Sequence, residues 1–296
     1  MRAKVKRRQM YRRVTITVVV VAILVLLIVG FYIAYESSNS NAPADNKPVT
    51  PEDLSTLRQL SSAPYGPPSS SMLSMVKTIN QLPLTAGGKP LVVYIGADYC
   101  MYCAAQRWSM VLALDRFGNL SGLEYMSSSP ADGDYPTFTF ESATYTSKYI
   151  AFQGFEEQDR NSQPLHSAPS NYSAVFTQYG GSAYPFLNFG NQYVISGALW
   201  SPTSLGSNDW SGVYSAVKSN STLGTQIKAG ANVITALICK LTNNKPATVC
   251  QQPPINTITL SVAAYSPPPP TGTVLVAEPA LSFPGWLAQL EGVPRK

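Results

Sequence analysis

The stretch from Leu91 to Cys103 constrains the fold of this chain more than any other. Its first part, Leu91–Ile95, is an apolar, β-branched and aromatic run, which is typical of a strand buried on both faces of a mixed or parallel sheet. A glycine ends this run. After Cys100 and Cys103, residues 104–114 contain no Gly or Pro and predict a helix.

A strand, a short turn and two cysteines at the start of a helix together indicate a reactive sulfur. Unpaired backbone N–H groups and the helix dipole at a helix N-terminus favour the thiolate of Cys100. Cys103 lies one turn further along, close enough to form a small, reducible disulfide with Cys100. The sequence therefore predicts thiol–disulfide chemistry, with Cys100 as the attacking and Cys103 as the resolving sulfur.

Charge is concentrated at the N-terminus of the chain. The 296 residues carry a net charge of +5, but residues 1–13 hold seven Lys and Arg and no acidic residue. From Glu36 onward, 14 basic and 16 acidic residues give a net charge of −2. This excludes a basic nucleic-acid-binding footprint in the globular part. Only 12% of the residues are charged, which favours an extracytoplasmic setting.

Residues 14–35 are uncharged and follow the basic segment. About 20 apolar residues suffice to cross a bilayer, so this run predicts an uncleaved transmembrane helix. The positive-inside rule then places residues 1–13 in the cytoplasm, as a basic tail, and the domain on the outer face of the cell membrane. Two alternatives remain open, a cleavable signal peptide and a buried helix of a soluble domain.

The rest of the chain is expected to form one α/β domain with appendages. Residues 36–70 predict a spacer, residues 71–255 the domain, and residues 256–296 a Pro-rich extension with a short helix at 283–290. Within the domain, the pattern predicts the following elements: helices at 71–81, 172–179, 210–218 and 223–241, and strands at 122–126, 137–140 and 148–152. Residues 184–195 predict a β-hairpin that turns at Gly190–Asn191 and has Pro185 at its first strand position.

The buried strand, the Cys100-Met101-Tyr102-Cys103 motif opening a helix, and the later Tyr184–Pro185 hairpin together resemble the thioredoxin superfamily. The resemblance covers roughly residues 75–240. It implies a central mixed sheet flanked by helices, with Pro185 in the cis form facing the cysteines across a peptide-binding groove. Tyr184 and Tyr102 would border this groove.

Three features depart from that family. Its small reductases carry Gly-Pro between the cysteines, and the aromatic residue Tyr102 is more similar to the extracytoplasmic oxidases and isomerases. Tyr94 stands where those reductases keep a buried Asp, which puts a proton-relay carboxylate in doubt, and Asp98 is no obvious replacement. Pro185 lies 82 positions after Cys103, which implies an insertion around residues 128–170. More narrowly, the chain resembles an uncharacterised archaeal family, domain of unknown function 929.

Each cysteine pair also has other interpretations. Cys100 and Cys103 could form half of a zinc site or a purely structural crosslink. A zinc site would need further ligands, but Cys239 and Cys250 are eleven positions apart, a spacing unlike that of a zinc site. His166 is the only histidine in the sequence. We therefore expect no metal. Cys239 and Cys250 flank a turn-rich loop and predict a structural disulfide, with a second redox pair as the alternative.

These observations lead to an expected function. The chain is predicted to be a membrane-anchored, extracytoplasmic thiol–disulfide oxidoreductase with no cofactor. Its partners would be cysteine-containing exported proteins or a membrane redox partner. The alternative is a non-enzymatic, surface-anchored module that uses the same fold to bind protein. The sequence leaves the direction of electron transfer open, because that depends on reduction potentials.

Overall fold

A computed structural model describes residues 15–30, 45–62, 66–79, 81–258 and 275–276 of the chain. The chain divides into two compact units, Met1–Pro43 and Ala44–Lys296. The described part of the first unit is one helix, α1, at residues 15–30. The predicted basic tail at residues 1–13 lies outside the described residues, as does the helix predicted at 283–290.

The predicted transmembrane helix is corrected by the structure. Among the residues that the structure describes, no helix is long and apolar enough to cross a membrane. Residue 14 and residues 31–35 of the predicted span lie outside the described residues. This finding contradicts the expected single-pass cell-membrane protein with its domain on the outer face.

The second unit consists of helices and strands in mixed order. Its helices are α2 (Pro51–Ser61), α3 (Ser70–Ser74), α4 (Met101–Asp115), α5 (Ser170–Gly180), α6 (Trp210–Ser219), α7 (Thr222–Leu241) and α8 (Ala247–Cys250). Its strands are β1 (Val76–Thr78), β2 (Leu84–Ala86), β3 (Lys89–Gly96), β4 (Gly118–Ser121), β5 (Glu124–Ser127), β6 (Pro136–Thr139), β7 (Thr144–Ser147), β8 (Ala151–Glu156), β9 (Phe186–Phe189), β10 (Tyr193–Ser196) and β11 (Leu275–Val276).

Seven of these strands form a mixed sheet around β3. The strand order is β1-β10-β9-β3-β2-β11, and β8 pairs with β3 outside that path. The pair β3–β8 is parallel, whereas β9 and β2 run antiparallel to β3. The remaining strands form two separate antiparallel pairs, β4 with β7 and β5 with β6.

β3 is central because both of its faces are apolar. Leu91, Val93 and Ile95 pack on one face with Tyr172 and Phe176 of α5. α4 is buried from Cys103 to Leu114 on every face, its polar side chains included. It packs against α7 and α2. The strand that leads to the cysteines and the helix that follows them are therefore both held inside the core.

Three elements differ from the sequence-based prediction. The helix predicted at residues 71–81 is only the short α3, and the chain continues as β1, which pairs with β10 at Val76↔Ile195. The predicted spacer contains α2, whose buried Leu57 and Leu60 join the core. β8 lies within the predicted insertion, yet it is a strand of the main sheet. In the first and third cases, pairing with a strand distant in sequence decides the structure.

Candidate functional site

Cys100 occupies the N-cap position of α4. Its backbone is extended, with φ −75° and ψ 122°, and its Sγ accepts a hydrogen bond of 3.3 Å from the backbone N–H of Cys103. One of the unpaired N–H groups at the start of the helix is thereby satisfied by a sulfur instead of the usual oxygen. The same N–H group stabilises negative charge on that sulfur.

The two thiols differ in environment. A hydrogen bond from the Cys103 side chain, with further contributions from backbone N–H groups and the Arg107 charge, lowers the pKa of Cys100 to about 7 despite its burial. Burial raises the pKa of Cys103 well above its ordinary value, and the neighbouring Cys100 raises it further. Cys100 is 7% exposed and Cys103 is fully buried, and neither forms a disulfide. The outer sulfur is thus the more acidic one.

The β9–β10 hairpin brings Pro185 to the cysteine end of β3. Ile95 of β3 pairs with Phe186 of β9, so Pro185 lies level with the residues that lead into the cysteine motif. The Tyr184–Pro185 peptide bond is cis. The Tyr184 ring packs against the cluster formed by Ala97, Cys100 and Cys103. The structure therefore brings together Cys100, Cys103 and the predicted groove residues Tyr184 and Pro185.

Tyr102 lies between the cysteines and points outward, with half of its surface exposed. It borders a surface cavity of about 430 Å³. The cavity is also lined by Met72 of α3, by Gln226 of α7 and by the segment 198–202. Tyr102 and Tyr184 thus both adjoin the cysteine motif, the first exposed and the second partly buried.

A buried charged group beneath the cysteines was missed by the sequence analysis. Arg107 lies one helical turn after Cys103 and is fully buried. Its guanidinium donates two hydrogen bonds to Glu156, at 3.0 and 2.6 Å, and a third, at 3.3 Å, to Asp98. Burial raises the pKa of Glu156 and of Asp98, while the Arg107 charge opposes the shift. An arginine inside an apolar helix signals a buried partner, but it does not identify that partner.

The other predicted residues lie outside this cluster. Cys239 and Cys250 are disulfide-bonded to each other, with a Cα–Cα distance of 5.6 Å. His166 is largely exposed and its Nδ1 lies 2.5 Å from a carboxylate oxygen of Glu141. Within the ranges that the structure describes, no group of three or more His, Cys, Asp and Glu side chains has an arrangement suited to a metal ion.

One comparison with known proteins gives a match. Residues 74–240, more than half of the chain, match the model of a family described as Domain of unknown function (DUF929). The matched range contains both cysteines of the motif, the hairpin with Pro185, and Arg107 with its two carboxylates. No curated protein and no solved structure is significantly similar to the chain.

Proposed function

Because the chain belongs to the family described as Domain of unknown function (DUF929), a description that names no activity, we propose a function from its own residues. We propose that it is a thiol–disulfide oxidoreductase acting on the cysteines of other proteins. The observation that carries the proposal is Cys100, a thiol at a helix N-cap with its pKa lowered to about 7, next to a second free thiol. The archaeal source implied by the sequence resemblance stays an expectation.

The first step uses the outer sulfur. With a pKa of about 7, a large fraction of Cys100 is thiolate near neutral pH, and the thiolate is the nucleophile in exchange. It attacks one sulfur of a substrate disulfide. A bond forms between that sulfur and Cys100, the substrate disulfide breaks, and the second substrate sulfur leaves as a thiolate.

The second step uses the inner sulfur. Cys103 loses its proton and attacks Cys100, which releases the first substrate sulfur and closes a Cys100–Cys103 disulfide. Two electrons pass from the protein dithiol to the substrate, and the two thiol protons end on the released substrate thiols. In reverse, the same steps oxidise a substrate dithiol. The direction is set by the relative reduction potentials of the two pairs.

The surface around Cys100 supports a polypeptide substrate. Tyr184 adjoins the cysteines and its hydroxyl donates a hydrogen bond to Glu157, which fixes the ring position. Tyr102 presents an exposed ring beside the cavity of about 430 Å³. Aromatic side chains with a polar tip are well suited to contact a protein surface. A segment bound against Tyr184 and Tyr102 would lie next to the cysteine motif.

The same proposal includes a thioredoxin-like fold for residues 75–240. It is supported by β3 leading directly into the cysteine motif, by α4 following it, and by the β9–β10 hairpin beside β3. The parallel pair β3–β8 also agrees with a mixed central sheet. Fold alone assigns no activity, so the functional proposal depends on the two sulfurs.

Substitution of each sulfur tests the proposal. Cys100→Ser retains an efficient N-cap residue, so α4 should stay intact while exchange with oxidised glutathione is lost. Cys103→Ser should still form a mixed disulfide at Cys100 but fail to release it. Both products can be counted by mass spectrometry after acid quenching. Alkylation of Cys100 by iodoacetamide should be half-maximal near pH 7, against ~8.5 for a free thiol.

The control is a variant with Cys239 and Cys250 both replaced by Ala, which should exchange at the rate of the original chain. If Cys100 is alkylated no faster than an unstructured thiol at neutral pH, the enzymatic proposal fails. Far-UV circular dichroism of each variant shows whether α4 and the rest of the fold are retained.

A non-enzymatic binding module is the second candidate. It is favoured by the low exposure of Cys100, 7%, beside the half-exposed ring of Tyr102. In that case Tyr102 and its cavity would contact a partner protein and the sulfurs would have no chemical role. The alkylation experiment separates the two candidates, because a binding module has no need of a thiol that ionises near pH 7.

A further inference from the structure

Tyr94 places a hydroxyl in the interior beside the inner sulfur. Its side chain is fully buried on β3, and the hydroxyl forms no well-aligned hydrogen bond with any residue that the structure describes, although, besides burial, its interaction with the Cys103 side chain raises the pKa of Tyr94. Buried hydroxyls that lack a full hydrogen bond are destabilising and uncommon in folded proteins. One that lies next to reactive groups is a candidate for a role in their chemistry.

Gly96 fixes where the Tyr94 hydroxyl lies. A Cβ atom at position 96 would lie 2.2 Å from that oxygen, so the hydroxyl occupies the space that a side chain at position 96 would fill. The next residue, Ala97, packs against Cys100 and Cys103. The absence of a side chain at Gly96 therefore allows the tyrosine to extend along β3 toward the sulfurs.

Arg107 lies over the face of the Tyr94 ring. Its Cζ lies 5.8 Å from the ring centroid, and Arg107 is four residues after Cys103 on α4, on the same helix face. Its Nη1 is buried and, among the described residues, has no hydrogen-bond partner. Burial raises the pKa of Tyr94 well above its ordinary value, and the nearby Cys103 adds to the shift. The Tyr94 hydroxyl and Arg107 Nη1 are thus two buried donors without a well-aligned hydrogen bond, and both act on the inner sulfur from the interior.

We propose that the Tyr94 hydroxyl donates a hydrogen bond to the Cys103 thiolate while this sulfur resolves the mixed disulfide. This inference rests on the proposed exchange activity and assigns Tyr94 as a positioning residue for its second step. The proton lost by Cys103 ends on the released substrate thiolate, so Tyr94 stays protonated throughout. In the state in which Cys103 is a thiolate, the hydroxyl gains a charged acceptor, and its hydrogen bond to this sulfur is strongest there.

Several charged or titratable groups surround Cys103, and only some favour its thiolate. The Arg107 charge favours it, and the carboxylate of Glu156 on β8 opposes it. The groups whose electrostatic influence reaches Cys103 are Tyr94 from β3, Tyr99, Cys100 and Arg107 from the cysteine motif and α4, Glu156 from β8, and Tyr184 before β9. A donor without a charge stabilises the thiolate while leaving the net charge of the interior unchanged.

Tyr94→Phe removes the hydroxyl and keeps the ring. The mixed disulfide of Cys100 with glutathione should form at the original rate, because the hydroxyl is proposed to act on Cys103. Its conversion to the Cys100–Cys103 disulfide should be about tenfold slower at pH 7, which corresponds to one hydrogen bond to a charged group. The pH profile of this conversion should move up by about one unit, so that the two proteins converge at high pH.

A purely structural role for the hydroxyl predicts that its removal lowers the melting temperature. Because the hydroxyl forms no well-aligned hydrogen bond with a described residue, the proposal predicts instead that Tyr94→Phe keeps or raises the melting temperature. The matched control is Tyr125→Phe, which removes a hydroxyl that donates to Asp53 and lies away from the site. That variant should be less stable and should resolve the mixed disulfide at the original rate.

Two results overturn the inference in distinguishable ways. If the original chain forms no mixed disulfide at Cys100, the exchange activity fails and the role of Tyr94 fails with it. If exchange occurs but Tyr94→Phe resolves at the original rate with an unshifted pH profile, only the role of Tyr94 is rejected. A lowered melting temperature with both steps slowed equally would assign Tyr94 to packing and would likewise reject it.

Discussion

Arg107 shows how single residues shape the interior beneath the cysteines. A fully buried charge is tolerated only if it is paired, and Arg107 is paired with Glu156 at 2.6 Å and with Asp98 at 3.3 Å. Another hydrogen bond, at 2.8 Å, reaches the backbone carbonyl of Ala97, next to the cysteine motif. The ion pair therefore links α4, β8 and the loop that carries Cys100.

Arg107→Met should lower the free energy of unfolding by about 3–5 kcal/mol at pH 7, because it leaves buried carboxylates without a counter-charge. Urea unfolding monitored by circular dichroism measures this. The matched control is Arg160→Met. Arg160 is about one-third exposed and pairs with Asp45 and Asp134 near the surface. This control should cost less than about 1 kcal/mol.

The loss in Arg107→Met should depend on pH. Burial raises the pKa of Glu156 above its ordinary 4.5, and without Arg107 only the hydrogen bond from the Phe140 backbone N–H opposes that shift. The folded variant then binds more protons than the unfolded chain from about pH 4.5 through neutral pH, so its stability falls as the pH rises across this window. Adding Glu156→Gln to the variant should restore part of the stability and flatten this dependence. A pH-independent loss would contradict the assignment to Glu156.

At the scale of elements, α2 connects the start of the second unit to its core. Thr50 caps the helix by accepting a hydrogen bond of 3.2 Å from the backbone N–H of Asp53, and Pro51 occupies the first turn. The hydroxyl of Tyr125, on β5, donates to Asp53 and accepts from the Thr50 backbone. The cap thus also holds α2 against a strand some 70 residues later in sequence.

Thr50→Ala should lower the free energy of unfolding by about 1 kcal/mol through loss of the cap. Thr50→Ser keeps a capping oxygen and should stay within a few tenths of a kcal/mol of the original chain. Chemical denaturation of both variants gives the comparison. Equal losses in the two variants would mean that the threonine methyl, and not the cap, is what stabilises this helix start.

At the scale of the whole molecule, a disulfide in the C-terminal part of the second unit joins two of its helices. The Cys239–Cys250 disulfide joins the end of α7 to α8, and both cysteines are buried. The turn between these helices contains Asn243 and Asn244 with positive φ, so the chain reverses direction tightly. The bond holds the C-terminal segment against the long helix that packs on α4.

Replacing Cys239 and Cys250 together by Ala should lower the free energy of unfolding by about 2–3 kcal/mol, since the bond closes a short loop in the unfolded chain. Thermal and urea unfolding measure the loss. Cys100 should keep its alkylation rate in this variant. An unchanged unfolding free energy, or a large change in Cys100 reactivity, would contradict a purely structural role for this pair.

Local patterns in the sequence were sufficient for several parts of the fold and site. The apolar run before the cysteines lies within β3, the Gly-free and Pro-free run after them lies within α4, and residues 172–179 lie within α5. The hairpin follows the expected positions as β9 and β10. These elements could be predicted because neighbouring residues in the sequence specify them. The thiol chemistry stays a prediction that rests on the same local motif.

Other features depend on contacts between distant residues. β1 replaces the second half of a predicted helix because its β-branched residues pair with β10, more than 100 residues later. α2 had a local signature that was overlooked, since Thr50 precedes Pro51, Glu52 and Asp53. The segment at residues 14–35 had the composition of a membrane span, but no helix among the described residues is long and apolar enough to cross a membrane.

The sequence by itself determined that β3 leads into two cysteines at the start of α4, because strand, turn and helix are set by adjacent residues. Only the tertiary structure decided what surrounds the sulfurs. Glu156 reaches Arg107 because β8 pairs in parallel with β3, and Tyr94 keeps a buried hydroxyl because Gly96 leaves room for it. Burial and electrostatic interactions depend on distance in space, and residues far apart in sequence supply them.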